Sequence, residues 1–226
     1  MIRAFNSSLS PRSVDYTNDE LVAYLIQSEW DDRQDRKVER LTKTARFRYS
    51  AVMENIDYNH DRNIDKNQIQ RFASCDFVTQ KDNILITGST GAGKSYMASA
   101  IGHQACSLGF KTMYFNTSKL FTMLKTSKAD GSYLKQVNKI EKQDLLILDD
   151  FGLKGLDNIN RHSLMEIIED RHGKKSTIIA SQLPVEAWHE IIGEQTIADA
   201  ILDRLVHTAH RIDIKGESMR KKLKNK

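Results

Sequence analysis

The chain has 226 residues, 39% hydrophobic and 28% charged, which suits one full domain plus a smaller appendage with enough apolar mass for a core. No apolar run approaches the roughly 20 residues of a membrane helix and the N-terminus lacks the apolar stretch of a secretory signal, so a soluble, cytoplasmic protein with no membrane partner is expected. Cys75 and Cys106, without metal or redox spacing, fit a reducing compartment and burial as small hydrophobes, and a formal net charge of +4 does not by itself imply nucleic acid.

Thr17-Asn-Asp-Glu20 before Leu-Val-Ala-Tyr-Leu-Ile is a capping box, so a helix is predicted from about Asn18 to Arg46. Beyond Trp30 it becomes densely charged, Asp31 to Arg40, the pattern of a solvated face with i,i+4 pairs such as Asp32 with Arg36. Periodicity fades over residues 50 to 65, and Asn59 to Asn63 reads as a connector. The expected organisation is an N-terminal helical region, 1–63, and a nucleotide-binding domain, 64–226. Asp65 to Cys75 reads as a helix. Strands are predicted at Asn83 to Thr87, Lys111 to Asn116, Asp144 to Asp149, Ser176 to Ser181 and His210 to Ile214, alternating with helices as in a parallel sheet with right-handed crossovers. Gly109 and Gly173 sit where helices should stop.

Directly after the first strand, Gly88-Ser-Thr-Gly-Ala-Gly-Lys-Ser95 fits G-x-x-x-x-G-K-[ST] at every fixed position, with a helix expected to start near Lys94. Gly88, Gly91 and Gly93 let the backbone curl so that successive N–H groups, with those of Ser89, Thr90, Ala92 and Tyr96, cradle a polyphosphate. The helix dipole adds positive potential, Lys94 can reach the β- and γ-phosphates, and the Ser95 hydroxyl can ligate Mg²⁺. The strand before and the helix after set this apart from a chance Gly-rich turn, so ATP and Mg²⁺ are the expected cofactors. The seven histidines are scattered and suggest no other metal site.

Leu145-Leu-Ile-Leu-Asp-Asp150 has the form of a second nucleotide motif: four apolar residues buried on both faces of a parallel sheet, delivering two acids beside the phosphate loop. One can hold the Mg²⁺ shell while the next polarises the attacking water.

From about Phe47 to Lys221 the chain resembles the IstB-like transposition-helper ATPases, relatives of the DnaC-type helicase loaders within the AAA+ class. The likeness is densest in Leu-Leu-Ile-Leu-Asp-Asp-Phe-Gly at 145–152, Ser-Gln-Leu-Pro at 181–184 with Trp188, Ala-Asp-Ala-Ile-Leu-Asp-Arg-Leu-Val-His at 198–207, and Gly-Glu-Ser-Met-Arg at 216–220. It implies a three-layer α/β P-loop AAA+ ATPase with a five-stranded parallel sheet. With six residues after Arg220, no full helical lid is expected. Carried over by position, Asp149 is the Mg²⁺-side carboxylate and Asp150 the catalytic acid, where many AAA+ proteins have the longer Glu. Ser181 or, preferably, Gln182 matches the sensor on the γ-phosphate side. Arg204 matches an arginine finger inserted by a neighbouring subunit, and Arg220 the second sensor.

The implied function is ATP hydrolysis by a homo-oligomer that assembles on duplex DNA and assists a partner transposase. A DnaC-like loader of a replicative helicase is the first alternative and a non-hydrolysing ATP switch the second. For DNA, the expected contacts are Lys119, Lys125, Lys128, Lys135 and Lys139, between the second and third strands, which a ring of subunits would repeat as a basic track. The competing cluster is C-terminal: Lys215, Arg220, Lys221, Lys222, Lys224 and Lys226.

Overall fold

A computed structural model describes residues 17–58, 62–216 and 218–219. Helix α1, Asn18–Ala45, opens with the expected capping box: the Thr17 hydroxyl accepts from Glu20 N at 3.3 Å and Thr17 N donates to Glu20 Oε2 at 2.8 Å. It ends where Arg46 turns left-handed, φ 58°. The expected pairing of Asp32 with Arg36 is not formed between side chains. Arg36 donates to the Asp32 carbonyl and leans toward Glu29 at 3.6 Å, which Arg33 also holds at 2.8 Å. Two turns back, Glu29 thus collects both guanidinium groups.

The helix expected over Asp65 to Cys75 is broken in two. Asp65 caps α2, Lys66–Arg71, by accepting from Asn67 N, a 3₁₀ turn spans Phe72–Ser74, and Cys75 adopts φ 56° before α3, Asp76–Gln80. The left-handed residue folds the chain so that Phe72 and Phe77 both turn into the core, edge to face with centroids 5.7 Å apart.

The strands are β1 Asn83–Gly88, β2 Thr112–Asn116, β3 Leu145–Phe151, β4 Ser176–Ser181 and β5 Ala209–Ile214, all parallel, in the order β2-β3-β4-β1-β5. Between them run α4 Lys94–Ser107, α5 Thr117–Ala129, α6 Tyr133–Glu141, α7 Asn158–Arg171, α8 Trp188–Ile192 and α9 Gln195–Val206. The apolar runs divide by alternation: Ile84, Ile86, Ile147, Ile178 and Ala180 pack with α4 on one face, whereas Leu85, Leu146, Leu148 and Ile179 pack with α5, α7 and α9 on the other. Three layers result. The α4-side cluster also takes Ala51, Met53 and Ile56, so residues on both sides of position 63 share one core.

Helix α4 leaves β1 toward one face and α7 leaves β3 toward the other. A crevice therefore opens at the carboxyl ends of the strands, the place where doubly wound sheets bind ligands. At the opposite end, Arg171, 1% exposed, clasps the strand starts by donating to Ile140 O, Gln143 O, Ser176 O and Thr177 Oγ1.

Candidate nucleotide-binding site

The loop between β1 and α4 curls as its glycines require, with φ 142°, 82° and 97° at Gly88, Gly91 and Gly93. A Cβ at each would meet protein: Ile214 O at 2.2 Å, Ser218 Oγ at 2.1 Å and Arg62 Nη2 at 2.8 Å. The glycines thus serve the packing of this loop against Ile214, Ser218 and Arg62 as well as the approach of a phosphate. Met219 N donates to Gly91 O at 3.0 Å and Ser89 Oγ to Gly216 O at 3.2 Å, so Gly216 and Met219 lie against the loop. Lys94, 7% exposed, folds its ammonium back onto Gly88 O and Ser89 O at 2.7 and 2.8 Å.

A cavity of about 520 Å³ lies beside this loop, within the range of nucleotide-sized pockets. Thr90, Gly91, Gly93, Lys94, Ser95 and Tyr96 line one wall; Arg48, Tyr49, Asn55, Ile56 and Arg62 line another, with Asp150 and Gln182 at the end. Ser95 Oγ donates to Asp149 Oδ1 at 2.9 Å, while Asp149 Oδ2 receives the Tyr114 hydroxyl and Arg48 Nη1, the latter at 3.2 Å. Burial and that bond to a carboxylate raise the pKa of Tyr114, so it stays a donor. Hard oxygen donors from Ser95 and Asp149, side by side, suit Mg²⁺, which takes its other ligands from phosphates and water. Among the described residues no group of three or more His, Cys, Asp or Glu forms a self-contained metal site.

Asp149 and Asp150 follow one another on a strand and should point to opposite faces. They do not. The β3–β4 register slips between Leu148 and Phe151, and Asp150 adopts φ 57°. The bulge turns Asp150 back, so Asn116 Nδ2 and Arg48 Nη1 donate to its Oδ2 at 2.8 and 2.9 Å. The same arginine nitrogen therefore reaches both acids.

Of the two sensor candidates, Ser181 is fully buried and donates to Phe151 O at 2.8 Å, whereas Gln182 lines the cavity and accepts from Thr90 Oγ1 at 2.6 Å. Arg204 lies elsewhere. It pairs with Glu169 at 2.6 Å, its carbonyl accepts from Asn83 at the start of β1, and its buried Nε has no hydrogen-bond partner among the described residues. The length of β1, five steps or about 17 Å, separates it from its own phosphate loop. Arg220 and residues 221–226 lie outside the described residues.

The five lysines are all exposed and sit on two consecutive helices. Lys119 and Lys125 are exposed on α5, and Lys135 and Lys139 are exposed one turn apart on α6. Lys128, half a turn around α5 from Lys119, donates to Ser163 Oγ at 3.1 Å and lies 4.5 Å over the Tyr133 ring.

Residues that sequence reasoning missed include Arg48, Tyr114, Asn116 and Arg62. Asn116 carried a usable signal, being the polar residue that ends the strand pairing with β3, opposite Asp149. Arg62 is 6% exposed, donates to Asp57 O and Ala92 O, and has its pKa lowered by burial. Nothing in the spacing pointed to it or to Arg48.

Residues 1–226 match the family described as IstB-like ATP binding protein. An insertion-sequence ATP-binding protein of Sinorhizobium fredii, y4pL, is 44% identical over 100% of this chain and 93% of its own length. One from IS1162 of Pseudomonas fluorescens is 42% identical over 77% and 76% of the two chains. Among solved structures, DnaI (TM-score 0.63, 24% identity, 74% of this chain and 92% of that one) and the DnaC helicase loader (0.58, 22%, 74% and 98%) share the fold. The chain belongs to the IstB-like ATP-binding proteins, with the parallel five-stranded α/β fold of the AAA+ class.

Proposed function

We propose that this protein hydrolyses ATP with Mg²⁺, assembles as a homo-oligomer on duplex DNA, and in that state assists the transposase of an insertion sequence. The observation that carries the ATPase reading is the bulge at Asp150, which turns a second carboxylate to the mouth of the cavity that Ser95 and Lys94 line. In this reading Lys94 leaves the Gly88 and Ser89 carbonyls for the β- and γ-phosphates, which the N–H groups of the 88–96 loop also hold. Ser95 and Asp149 would hold Mg²⁺, which would supply positive charge to the transferred phosphoryl group. Asp150 orients the attacking water and accepts its proton, with Asn116 fixing the carboxylate. Gln182, tied to Thr90, contacts the γ-phosphate side, and Arg220 follows by family position. The relatives' association with insertion sequences supports the transposase as partner.

Arg204 is assigned to a neighbouring subunit's site, because a strand's length separates it from its own and its Nε is left without an acceptor. Mixing the Lys94→Ala and Arg204→Ala variants, each inactive alone, restores hydrolysis if the finger acts between subunits, since some mixed interfaces keep both residues. No recovery from variants that still co-assemble would refute it. For DNA, Lys119, Lys125, Lys135 and Lys139 remain the candidate phosphate contacts, with Lys128 the least available. Neutralising Lys119 and Lys125 should flatten the log–log salt dependence of duplex affinity by about 0.9 per lost phosphate contact. A slope that changes only on truncation after Lys222 would move the track to the C-terminus.

A further inference from the structure

We propose that Arg48 is an internal counter-cation for the Asp149–Asp150 pair, holding the two carboxylates together until Mg²⁺ arrives and then yielding the contact to the metal. This rests on the Mg²⁺–ATP reading of the site. One nitrogen, Nη1, bridges Asp149 Oδ2 at 3.2 Å and Asp150 Oδ2 at 2.9 Å. Asp149 is 1% exposed, and two carboxylates brought to one face would repel each other without a cation between them. The guanidinium thus offsets one of the two negative charges that would otherwise face an incoming polyphosphate.

Arg48 is built to move as a side chain rather than as a segment. Phe47 before it stacks on His103 with centroids 4.2 Å apart and sits so close to Gly102 that an added Cβ would meet its ring at 2.4 Å. Tyr49 after it bonds through its carbonyl to His103 Nε2 at 3.2 Å. The backbone is pinned on both sides. Between these anchors the Arg48 side chain is 38% exposed, lies 5.6 Å over the Tyr49 ring and lines the nucleotide cavity, so it has room to swing away from the acids. A divalent ion held by Asp149 would meet a like charge at Oδ2, and the two cations therefore compete for one carboxylate.

The test measures affinity for a fluorescent non-hydrolysable ATP analogue with and without Mg²⁺. In Arg48→Gln the bare acids should weaken metal-free binding about tenfold, while loss of the competitor strengthens the Mg²⁺ arm, so the ratio of the two constants rises about tenfold or more. Arg48→Lys, which keeps the charge, should hold metal-free affinity near the wild-type value. Equal weakening of both arms in Arg48→Gln, or an unchanged ratio, overturns the inference while leaving the site reading intact. Binding by the wild type that ignores Mg²⁺ overturns both. Should Arg48→Gln fail to fold, the wild type still decides. The Arg48 Nε–H resonance must shift when Mg²⁺ is added to nucleotide-bound protein, and its constancy overturns the proposal.

Discussion

Asp150→Asn separates the chemistry of this site from its architecture, because the backbone there leaves few other clean substitutions. At φ 57° a residue with a Cβ is strained, but Asp and Asn tolerate the left-handed region best, so Asn adds no strain where Ala or Glu would add roughly 1 kcal/mol. The Asn116 bond survives, since an amide oxygen accepts from Nδ2 as the carboxylate does at 2.8 Å. The ion pair with Arg48 is lost, but with side chains 38% and 20% exposed it contributes only about 0.5–1 kcal/mol, and Arg48 keeps Asp149. The midpoint of thermal unfolding should therefore fall by no more than about 2–4 °C. Hydrolysis should fall by about 10²–10⁴, the range for a positioned general base, or roughly 3–5 kcal/mol of barrier. ATP affinity should stay within about threefold, because no hydrogen bond joins Asp150 to the phosphate loop. Titration with a fluorescent ATP analogue and a phosphate-release assay read the two quantities separately. Hydrolysis within tenfold of wild type, or a loss of affinity matching that of Lys94→Ala, would refute the assignment.

Lys94→Ala should weaken ATP binding at least about 30-fold, since it removes a charged donor worth about 2 kcal/mol, and calorimetric titration reads it directly. Arg171→Met removes the buried guanidinium donor from the carbonyls of Ile140, which keeps Gln143 N, and of Gln143 and Ser176, and should cost about 3 kcal/mol, a fall of roughly 6–12 °C in unfolding midpoint; under 2 °C would show the clasp to be dispensable. Burial pushes the Cys75 thiol up to about 12 and raises that of Cys106, so neither should react with an aromatic disulfide reagent at pH 8 until the protein unfolds; prompt labelling of the native protein would contradict this. At Asp144 burial raises the pKa, but the bonds to Lys175 Nζ at 2.6 Å and Lys111 N at 2.9 Å outweigh it, so the net shift is downward. Its stabilisation is therefore full above the unfolded value near 3.8 and lost as pH falls through the lower folded value, and Asp144→Asn should flatten acid unfolding in that window.

The sheet was legible because its strands are buried on both faces, which leaves continuous runs such as Ile84-Leu-Ile86 and Leu145-Leu-Ile-Leu148 that no amphipathic helix would carry. The phosphate loop was legible because its chemistry fixes residue types at fixed spacing. The break between α2 and α3 was not, since Cys75 carries no mark of a left-handed residue and earns that conformation only by letting Phe72 and Phe77 pack together. Arg48 was invisible for a different reason: its partners lie 101 and 102 residues away, and ion pairs at that separation have no period.

The bulge joins the two kinds of information, and it bears on why position 150 is Asp where many proteins of the AAA+ class resemble one another in having Glu. A regular β3 would deliver Asp149 to the α4 face and its successor to the opposite one, out of reach of the nucleotide. Bringing both to one face requires a left-handed residue at 150, and that backbone favours Asp over Glu because a short polar side chain tolerates φ 57° while a longer one gains nothing there. The missing methylene is then offset by backbone placement, since the bulge carries the carboxylate to within 2.8 Å of Asn116 and 2.9 Å of Arg48 at the cavity's edge. On this argument Asp150→Glu should restore no rate. It should destabilise the fold by roughly 1 kcal/mol and swing the carboxylate past its two donors. A faster, equally stable Asp150→Glu enzyme would show that side-chain length, and not the bulge, limits this site.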